Sequence, residues 1–152
     1  MSIVPLRHFS LKKQSGFTLL ELLVVIAIMA LATAGVSLSL RDGGQAQLER
    51  EAERLAALLE AGRAQSRASG VPVRWRVLAQ GGFRFEGLPQ GSSLPQQWLD
   101  ARTTVLGADS LLLGPEPLIA PQQVVLTRAD LAGPALRVAT DGLHPFHVEP
   151  LP

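Results

Sequence analysis

The chain has 152 residues, no cysteine and a formal net charge of +1, which leaves room for about one domain of ordinary size plus an appendage. The absence of cysteine excludes a disulfide framework, a thiolate metal site and a cysteine nucleophile. The charge is uneven, because residues 1–16 carry three basic side chains and no acid, which leaves 11 basic and 13 acidic side chains, a net of −2, from Phe17 onward. Bulk electrostatics therefore give the body of the chain no general affinity for polyanions.

A long apolar run follows the basic N-terminus. Residues 22–40 are 19 consecutive positions without a charge, and as a helix they would span roughly 28 Å, close to the ~30 Å hydrocarbon core of a bilayer. The run can therefore be a membrane span. Because the basic residues precede it, the positive-inside bias predicts a cytoplasmic N-terminus and places the rest of the chain across the membrane.

A secretory signal peptide is the alternative interpretation of these features. A basic region before an apolar stretch is typical of such peptides, and residues 30–32 or 32–34 offer a cleavage site of small residues. Glu21 argues against it, because an ordinary signal gains nothing from a carboxylate, and an acid at bilayer depth costs about 2.5–3.5 kcal/mol on insertion scales. An acid in such a position is by default functional and needs a partner.

A partner for Glu21 arises if the chain is cut between Gly16 and Phe17. The new α-amine would be largely protonated near neutral pH, and it would lie four positions before Glu21, about one helical turn away. Amine and carboxylate can neutralise each other in low dielectric. If Glu21 instead meets the amine of a neighbouring subunit, the pair would specify axial register in an assembly.

The stretch KKQSGFTLLELLVVIAIMALA resembles the type IV prepilin signal. It has a short basic leader with Lys12 and Lys13 that ends in Gly16, an aromatic Phe17 at the cut, and Glu21 as the fifth mature residue. The resemblance implies that a prepilin peptidase cuts after Gly16 and methylates the amine of Phe17, and that Glu21 acts in assembly and register. It also implies that the apolar segment anchors the subunit in the inner membrane and then packs in the core of a filament.

From Arg41 to Ser69 the pattern predicts an amphipathic helix. Gly70, followed by Pro72, is the expected stop, and Gly43-Gly44 predicts a kink or a local break, since each glycine costs about 1 kcal/mol in a helix relative to alanine. The predicted core stripe is Leu48, Ala52, Leu55, Leu59, Gly62 and Ser66, widened by Ala56 and Leu58. The other faces carry Glu49, Arg50, Glu53, Arg54, Glu60, Arg63 and Arg67, and their alternating signs favour a solvated surface over a nucleic-acid contact.

From Val71 the period changes to two, which predicts strands. VPVRWRVL and GGFRFEGL form a predicted hairpin, with Arg74 and Arg76 on the solvent face as candidates for a partner contact. A loop with Trp98 follows, then TTVLGADSLLLG, EPLIAPQQVVLTR, PALRVATDG and HPFHVEP as short strands. Asp141-Gly142 is the clearest hairpin signal among them. The predicted fold class is α+β, with a long N-terminal helix packed on an antiparallel β domain.

The residues that carry enzyme or metal chemistry do not form a recognisable constellation. His8 lies in the leader, and His144 and His147 are three positions apart in a predicted strand, which puts them on opposite faces. Asp141 lies near His144 without a credible nucleophile, and the glycine-rich pieces lack the lysine and the context of a phosphate loop. We therefore expect no enzyme activity, no metal and no cofactor.

The β region is similar to the H-type minor pseudopilins of type II secretion, the GspH and XcpU family. The resemblance rests on Ser69-Gly70-Val71-Pro72-Val73, Phe83-Arg84-Phe85, Trp98, Asp141-Gly142 and Pro145-Phe146. It implies a pilin-like fold with two antiparallel sheets, and a domain order of leader 1–16, membrane and filament-core helix 17–40, amphipathic helix 41–69 and β domain 70–152.

The same resemblance implies a position and a set of partners. The subunit would lie near the tip of a periplasmic pseudopilus, beside other minor pseudopilins and the major pseudopilin, and would support export of folded proteins across the outer membrane. Before assembly it would cross the bacterial inner membrane once, with its β domain in the periplasm.

A minor pilin of a type IV pilus, of the FimT or FimU kind, is the alternative. Some of these proteins bind DNA during uptake, and a DNA-binding version should carry a basic, flexible C-terminal tail. This chain has no lysine or arginine after Arg137, so we expect no nucleic-acid partner. The absence of a cysteine pair also argues mildly against the pilus type.

Overall fold

The computed structural model describes residues 18–131 and 133–151, and within these it gives no side-chain environment for residues 34–42. One long helix precedes seven short strands. The chain divides into two compact units after Ser37, so that the helix belongs to both. The elements are α1 (Leu19–Ser69), β1 (Arg74–Val77), β2 (Phe83–Glu86), β3 (Thr103–Leu106), β4 (Ser110–Leu112), β5 (Gln122–Arg128), β6 (Leu136–Thr140) and β7 (His147–Pro150).

The second half of α1 buries the apolar stripe that the sequence predicts. Positions three and four apart return to one face of a helix, and that face enters the hydrophobic core of the second unit. Each buried leucine stabilises the fold by about 1.5–3 kcal/mol. The buried members of the stripe are Leu48, Ala52, Leu55, Ala56, Leu59, Gly62 and Ser66, and Leu58 is half-buried.

The end of α1 lies where glycine and proline predict it. Gly70 has φ 69°, the left-handed conformation that glycine adopts without strain after the last helical turn. Its N–H donates to the Ser66 carbonyl at 2.9 Å. The Ser66 hydroxyl donates to the Val71 carbonyl at 2.7 Å and accepts the Val73 N–H at 3.3 Å, which directs the chain into β1.

The break expected at Gly43-Gly44 is absent, because α1 is continuous through both residues. Gly44 is buried, and a Cβ there would clash with Leu131 Cδ2. The glycine therefore allows a close approach between the helix and the loop after β5. Close packing of this kind offsets the low helix propensity of glycine, which the sequence pattern alone does not reveal.

The strands form two antiparallel sheets, which confirms the α+β class. The first sheet has the order β2-β1-β4 and the second the order β3-β5-β6-β7. The two hairpins predicted from glycine-containing turns are present, with Trp75 opposite Phe85 in β1–β2 and Val138 opposite Val148 in β6–β7. Gly142, in the second of these turns, has φ 91°, as the sequence signal of an Asp-Gly turn requires.

Aromatic side chains fill the core beneath the first sheet. Trp75 and Phe83 are fully buried, with ring centroids 5.9 Å apart, and the half-buried Trp98 lies 4.5 Å from Phe83. Such pairs contribute roughly 0.5–1.5 kcal/mol beyond their buried area. Strand β1 alternates as predicted, with Trp75 inward and Arg74 and Arg76 outward, although β1 begins only at Arg74 and Val71 is 47% exposed.

Two charged residues of α1 are buried in the second unit. Arg63 is 2% exposed, so its predicted place on the solvent face is wrong, and Glu51, which the pattern assigns to neither face, is 1% exposed. Arg63 donates to three loop carbonyls, while Glu51 accepts the Leu99 N–H and pairs with Arg54 at 3.1 Å. Burial is stabilised because each charge has hydrogen-bond partners, all of them distant in sequence except Arg54.

We expect Gly62→Ala to lower the stability of the second unit by about 1–2 kcal/mol. A Cβ at position 62 would lie 2.9 Å from Leu113 Cδ1 and 3.1 Å from Phe85 Cε1, so buried side chains would have to shift. Gly43→Ala is the matched control, because its Cβ would meet no atom within 4 Å and alanine favours a helix by about 1 kcal/mol. Denaturant unfolding of the two full-length variants measures both effects, and a rise in stability for Gly62→Ala would contradict the packing described here.

Candidate functional site: the start of α1

The structure covers part of the predicted processing site. Lys12, Lys13, Gly16 and Phe17 lie outside the described residues, so their roles stay predictions. Glu21 lies in the first turn of α1 and is exposed.

Thr18 caps the N-terminus of α1. The first amides of a helix have no partner within it, and the Glu21 N–H donates to Thr18 Oγ1 at 3.2 Å. Thr18 therefore has the position of an N-cap and Glu21 that of the third helical residue, the spacing of a capping box. Sequence reasoning missed this role of Thr18, although threonine followed by glutamate three positions later, just before an apolar run, is its signature.

The position of Glu21 gives the carboxylate a favourable electrostatic environment. The N-terminus of a helix carries a partial positive charge, so an acid in the first turn is stabilised by about 0.3–1 kcal/mol at an exposed site. This effect acts in addition to any pairing with a protonated amine. An acid at this one place in an apolar helix therefore costs less than it would in the middle of the run.

The first turns of α1 expose apolar side chains on every side. A helix that is apolar all round is typical of an element buried in other protein or in lipid. Thr33 fits such surroundings, because its hydroxyl lies 3.0 Å from the Met29 carbonyl and 2.9 Å from the Ala30 carbonyl and can be satisfied inside the helix. The exposed large apolar residues between positions 19 and 31 are Leu19, Leu20, Leu22, Leu23, Val24, Val25, Ile26, Ile28, Met29 and Leu31.

Within residues 18–131 and 133–151, no helix meets the combination of length and hydropathy that a membrane crossing requires.

The histidines of the second unit each contact a nearby carboxylate. His144 Nδ1 lies 2.7 Å from Asp141 Oδ2, and backbone and side-chain hydrogen bonds from His144 hold the pKa of Asp141 well below its usual range. His147 Nε2 lies 2.7 Å from Glu149 Oε1, and this hydrogen bond raises the pKa of His147. In the described part of the chain, no three histidine or acidic side chains are grouped so that they could hold a metal ion.

A cluster of charged side chains connects the loop before β3 with the end of β5. Asp100 accepts hydrogen bonds from the side chain and backbone of Arg102, which hold the pKa of Asp100 far below its usual range. Arg128 is buried and pairs with Asp100 at 3.1 Å and with Asp130 at 2.8 Å, and its hydrogen bond lowers the pKa of Asp130. Each charge of the cluster has an oppositely charged partner within it, which is typical of a structural network.

Comparison with known proteins identifies the N-terminal segment. Residues 11–37 match the family model described as the prokaryotic N-terminal methylation motif. The match contains Gly16, Phe17 and Glu21, and it indicates the class of type IV pilin-like proteins, which comprises pilins and pseudopilins. No curated protein and no solved structure matches the chain significantly.

Proposed function

We propose that the chain is a subunit of a periplasmic filament of the pilin-like class, and that its activity is assembly, not catalysis. The observation that carries the proposal is the methylation motif at residues 11–37. In this role a prepilin peptidase cuts after Gly16 and methylates the amine of Phe17, and the mature subunit assembles with other pilin-like proteins.

The start of α1 provides the assembly contacts in this proposal. The exposed apolar side chains between Leu19 and Leu31 supply attraction to lipid before assembly and to neighbouring helices afterwards. Glu21 supplies register, because a carboxylate paired with the amine of a neighbouring Phe17 is satisfied only at one axial offset. In the precursor the same segment anchors the chain in the inner membrane, with the β domain in the periplasm.

We further propose that the filament is the pseudopilus of a type II secretion system and that this chain is a minor subunit near its tip. Support comes from the elements resembling the H-type minor pseudopilins, Phe83-Arg84-Phe85 and Asp141-Gly142 among them. The helix followed by two antiparallel sheets is compatible with it. A minor pilin of a type IV pilus has the same N-terminal signal and is the competing assignment.

The proposal is tested in the native host with strains that contain or lack the prepilin peptidase. Intact-mass and N-terminal analysis of the membrane-derived protein should show a chain beginning at methylated Phe17 only when the peptidase is present. A chain beginning at Thr33 or Gly35, after a cut in the run of small residues, would contradict the proposal, as would a methionine start in both strains.

Deletion of the gene then separates the two filament systems. We expect exported proteins to accumulate in the periplasm while surface pili remain, and the full chain to restore export when it is supplied again. Loss of pili with normal export would overturn the secretion assignment and leave the pilin-like class intact.

A further inference from the structure

Strand β7 is an outer strand of the four-stranded sheet, and its hydrogen-bond pattern shows which groups face outward. Leu151 N–H donates to the Ala135 carbonyl at 2.8 Å, and the register pairs Pro150 with Leu136 and Val148 with Val138. Since hydrogen-bonded and non-hydrogen-bonded pairs alternate in an antiparallel ladder, the backbone groups of residues 148 and 150 point away from β6. Pro150 agrees with this assignment, because proline has no N–H to donate to a ladder.

The outward edge of β7 faces α1, and a side chain of α1 already accepts the first outward N–H along this edge. The Phe146 N–H, one residue before β7, donates to Glu60 Oε1 at 3.1 Å. The carboxylate of Glu60 thus acts where the carbonyl of a neighbouring strand would. The next outward donor is the Val148 N–H, and no side chain of the described residues bonds to it.

A groove of about 450 Å³ lies between α1 and this edge. Small side chains on the helix keep it open, because Ala56 and Ala57 occupy the turn that faces β7. An extended backbone needs about 4.7–4.9 Å from its neighbouring strand, and the two alanines put no long side chain into this part of the groove. The groove is lined by Glu53, Ala56, Ala57, Glu60, Phe146, His147 and Val148.

The helical wall of the groove is acidic. Glu53 is exposed, and no basic side chain of the described residues pairs with it. Glu60 contacts Arg63 only at 3.5 Å, and its side chain is 28% exposed. The one titratable group on the opposite wall, His147, is bonded to Glu149. A positively charged occupant would therefore complement the groove.

We propose that this groove binds an extended basic segment of a partner protein, which joins the sheet as a fifth strand beside β7. Backbone hydrogen bonds to Val148 provide the attachment, and a lysine or arginine of the segment pairs with Glu53. Pro150 limits the addition to a few residues, since it offers no donor beyond Val148. The attachment is consequently short and depends on the charge for its specificity.

The partner in this proposal is another filament subunit, and only this identification rests on the proposed function. Binding itself involves neither the processing site nor the apolar segment. A failed peptide assay would leave processing after Gly16 untouched, and a chain without processing could still bind the peptide. The two failures are therefore distinguishable.

The test uses the full-length chain in detergent and a fluorescein-labelled heptapeptide of alternating threonine or valine and lysine, measured by fluorescence anisotropy. A heptapeptide with glutamate in place of lysine is the matched probe. We expect the lysine peptide to bind at least about tenfold more tightly than the glutamate peptide. Bound lysine peptide should also slow hydrogen exchange of the Val148 amide, as a new strand hydrogen bond requires.

Three variants make the assay specific. Glu53→Lys should weaken binding of the lysine peptide by about tenfold, while Glu49→Lys, an exposed acid of the same helix outside the groove, should change it less than about twofold. Val148→Pro removes the outward N–H without removing a β6–β7 hydrogen bond and should also weaken binding. The proposal would be overturned if both peptides bound equally or if the two lysine variants had equal effects. It would also be overturned if the bound peptide slowed hydrogen exchange in β3, the other outer strand of the sheet, and not at Val148.

Discussion

Glu21→Ala is expected to leave cleavage after Gly16 nearly intact and to remove the subunit from filaments. The carboxylate in this proposal pairs with the amine of a neighbouring Phe17 in an apolar environment, and removing one member of a buried pair costs about 3–5 kcal/mol because the other charge stays unpaired. A loss of that size lowers incorporation by more than about a hundredfold. Quantitative immunoblots of sheared filaments and of membranes from the same cells measure incorporation and processing separately.

Glu21→Gln distinguishes this pairing from a purely structural role in the cap. Thr18 accepts the amide N–H of residue 21, and glutamine serves at the third position of a capping box nearly as well as glutamate. If the charge sets register, Glu21→Gln fails as Glu21→Ala does; if the cap is what matters, the glutamine variant assembles normally and the register role is wrong. Glu49→Ala, which removes an exposed acid elsewhere on α1, is the control and should assemble as the native chain does.

Accumulation of an uncut precursor would contradict the first part of the prediction, that cleavage after Gly16 stays nearly intact. If Glu21→Ala accumulated with residues 1–16 attached, the acid would be needed by the peptidase and the loss of incorporation would follow from that alone. Mass analysis of the membrane fraction therefore accompanies every incorporation measurement.

The periodic parts of the fold were predictable from the sequence because burial of one face imposes a period. Leu55 and Leu59 mark the core face of α1, and the alternation around Trp75 marks β1. Gly70 and Gly142 were also predictable, since positive φ has a strong residue preference. Each of these signals is local, so a single sequence contains it.

The contacts that connect distant segments were not predictable in the same way. The helical period assigns Arg63 to the solvated face and leaves Glu51 unassigned, and the burial of both depends on the loop amides and carbonyls that face them. Gly44 has the propensity of a helix breaker, although the close approach of Leu131 explains its presence. In each case the partner lies many residues away, where neither propensity nor spacing reports on it.

For the functional residues, too, the local features were predictable and the long-range ones were not. The sequence predicts a role for Glu21 from the cost of an acid in an apolar run, and the spacing of Thr18 and Glu21 could have predicted the Thr18 cap. The groove beside β7 could not be predicted from the sequence, because it combines the outward groups of one strand with Glu53, which lies far earlier in the chain. The register of β6 and β7, together with the hydrogen bond from Leu151 N–H to the Ala135 carbonyl, shows that the backbone groups of Val148 face it.

Arg63→Met is expected to destabilise the second unit by at least about 3 kcal/mol, with a fall in Tm of more than about 10 °C. The guanidinium is 2% exposed and donates to the carbonyls of Gly142 at 2.7 Å, His144 at 3.3 Å and Pro117 at 3.3 Å. Methionine fills similar space without a donor, so the buried Gly142 carbonyl would lose its donor. The part-buried Pro117 bond would be lost as well, while the His144 carbonyl would keep the Thr140 hydroxyl as a donor.

Arg67→Met is the matched control for that variant, because Arg67 is an exposed arginine one turn further along α1, where a substitution changes stability by less than about 0.5 kcal/mol. Arg63→Lys keeps the charge but presents a single ammonium to carbonyls that the planar guanidinium reaches from two nitrogens, so we expect an intermediate loss. If Arg63→Met does not fold, Arg63→Lys supplies the measurable value. In thermal unfolding of the full-length variants, we expect Arg67→Met to be the most stable, Arg63→Lys intermediate and Arg63→Met the least stable. Equal stability of the two methionine variants would show that the loop carbonyls find other donors, and the connection between α1 and the β6–β7 turn would then depend on Glu60 and the Phe146 N–H alone.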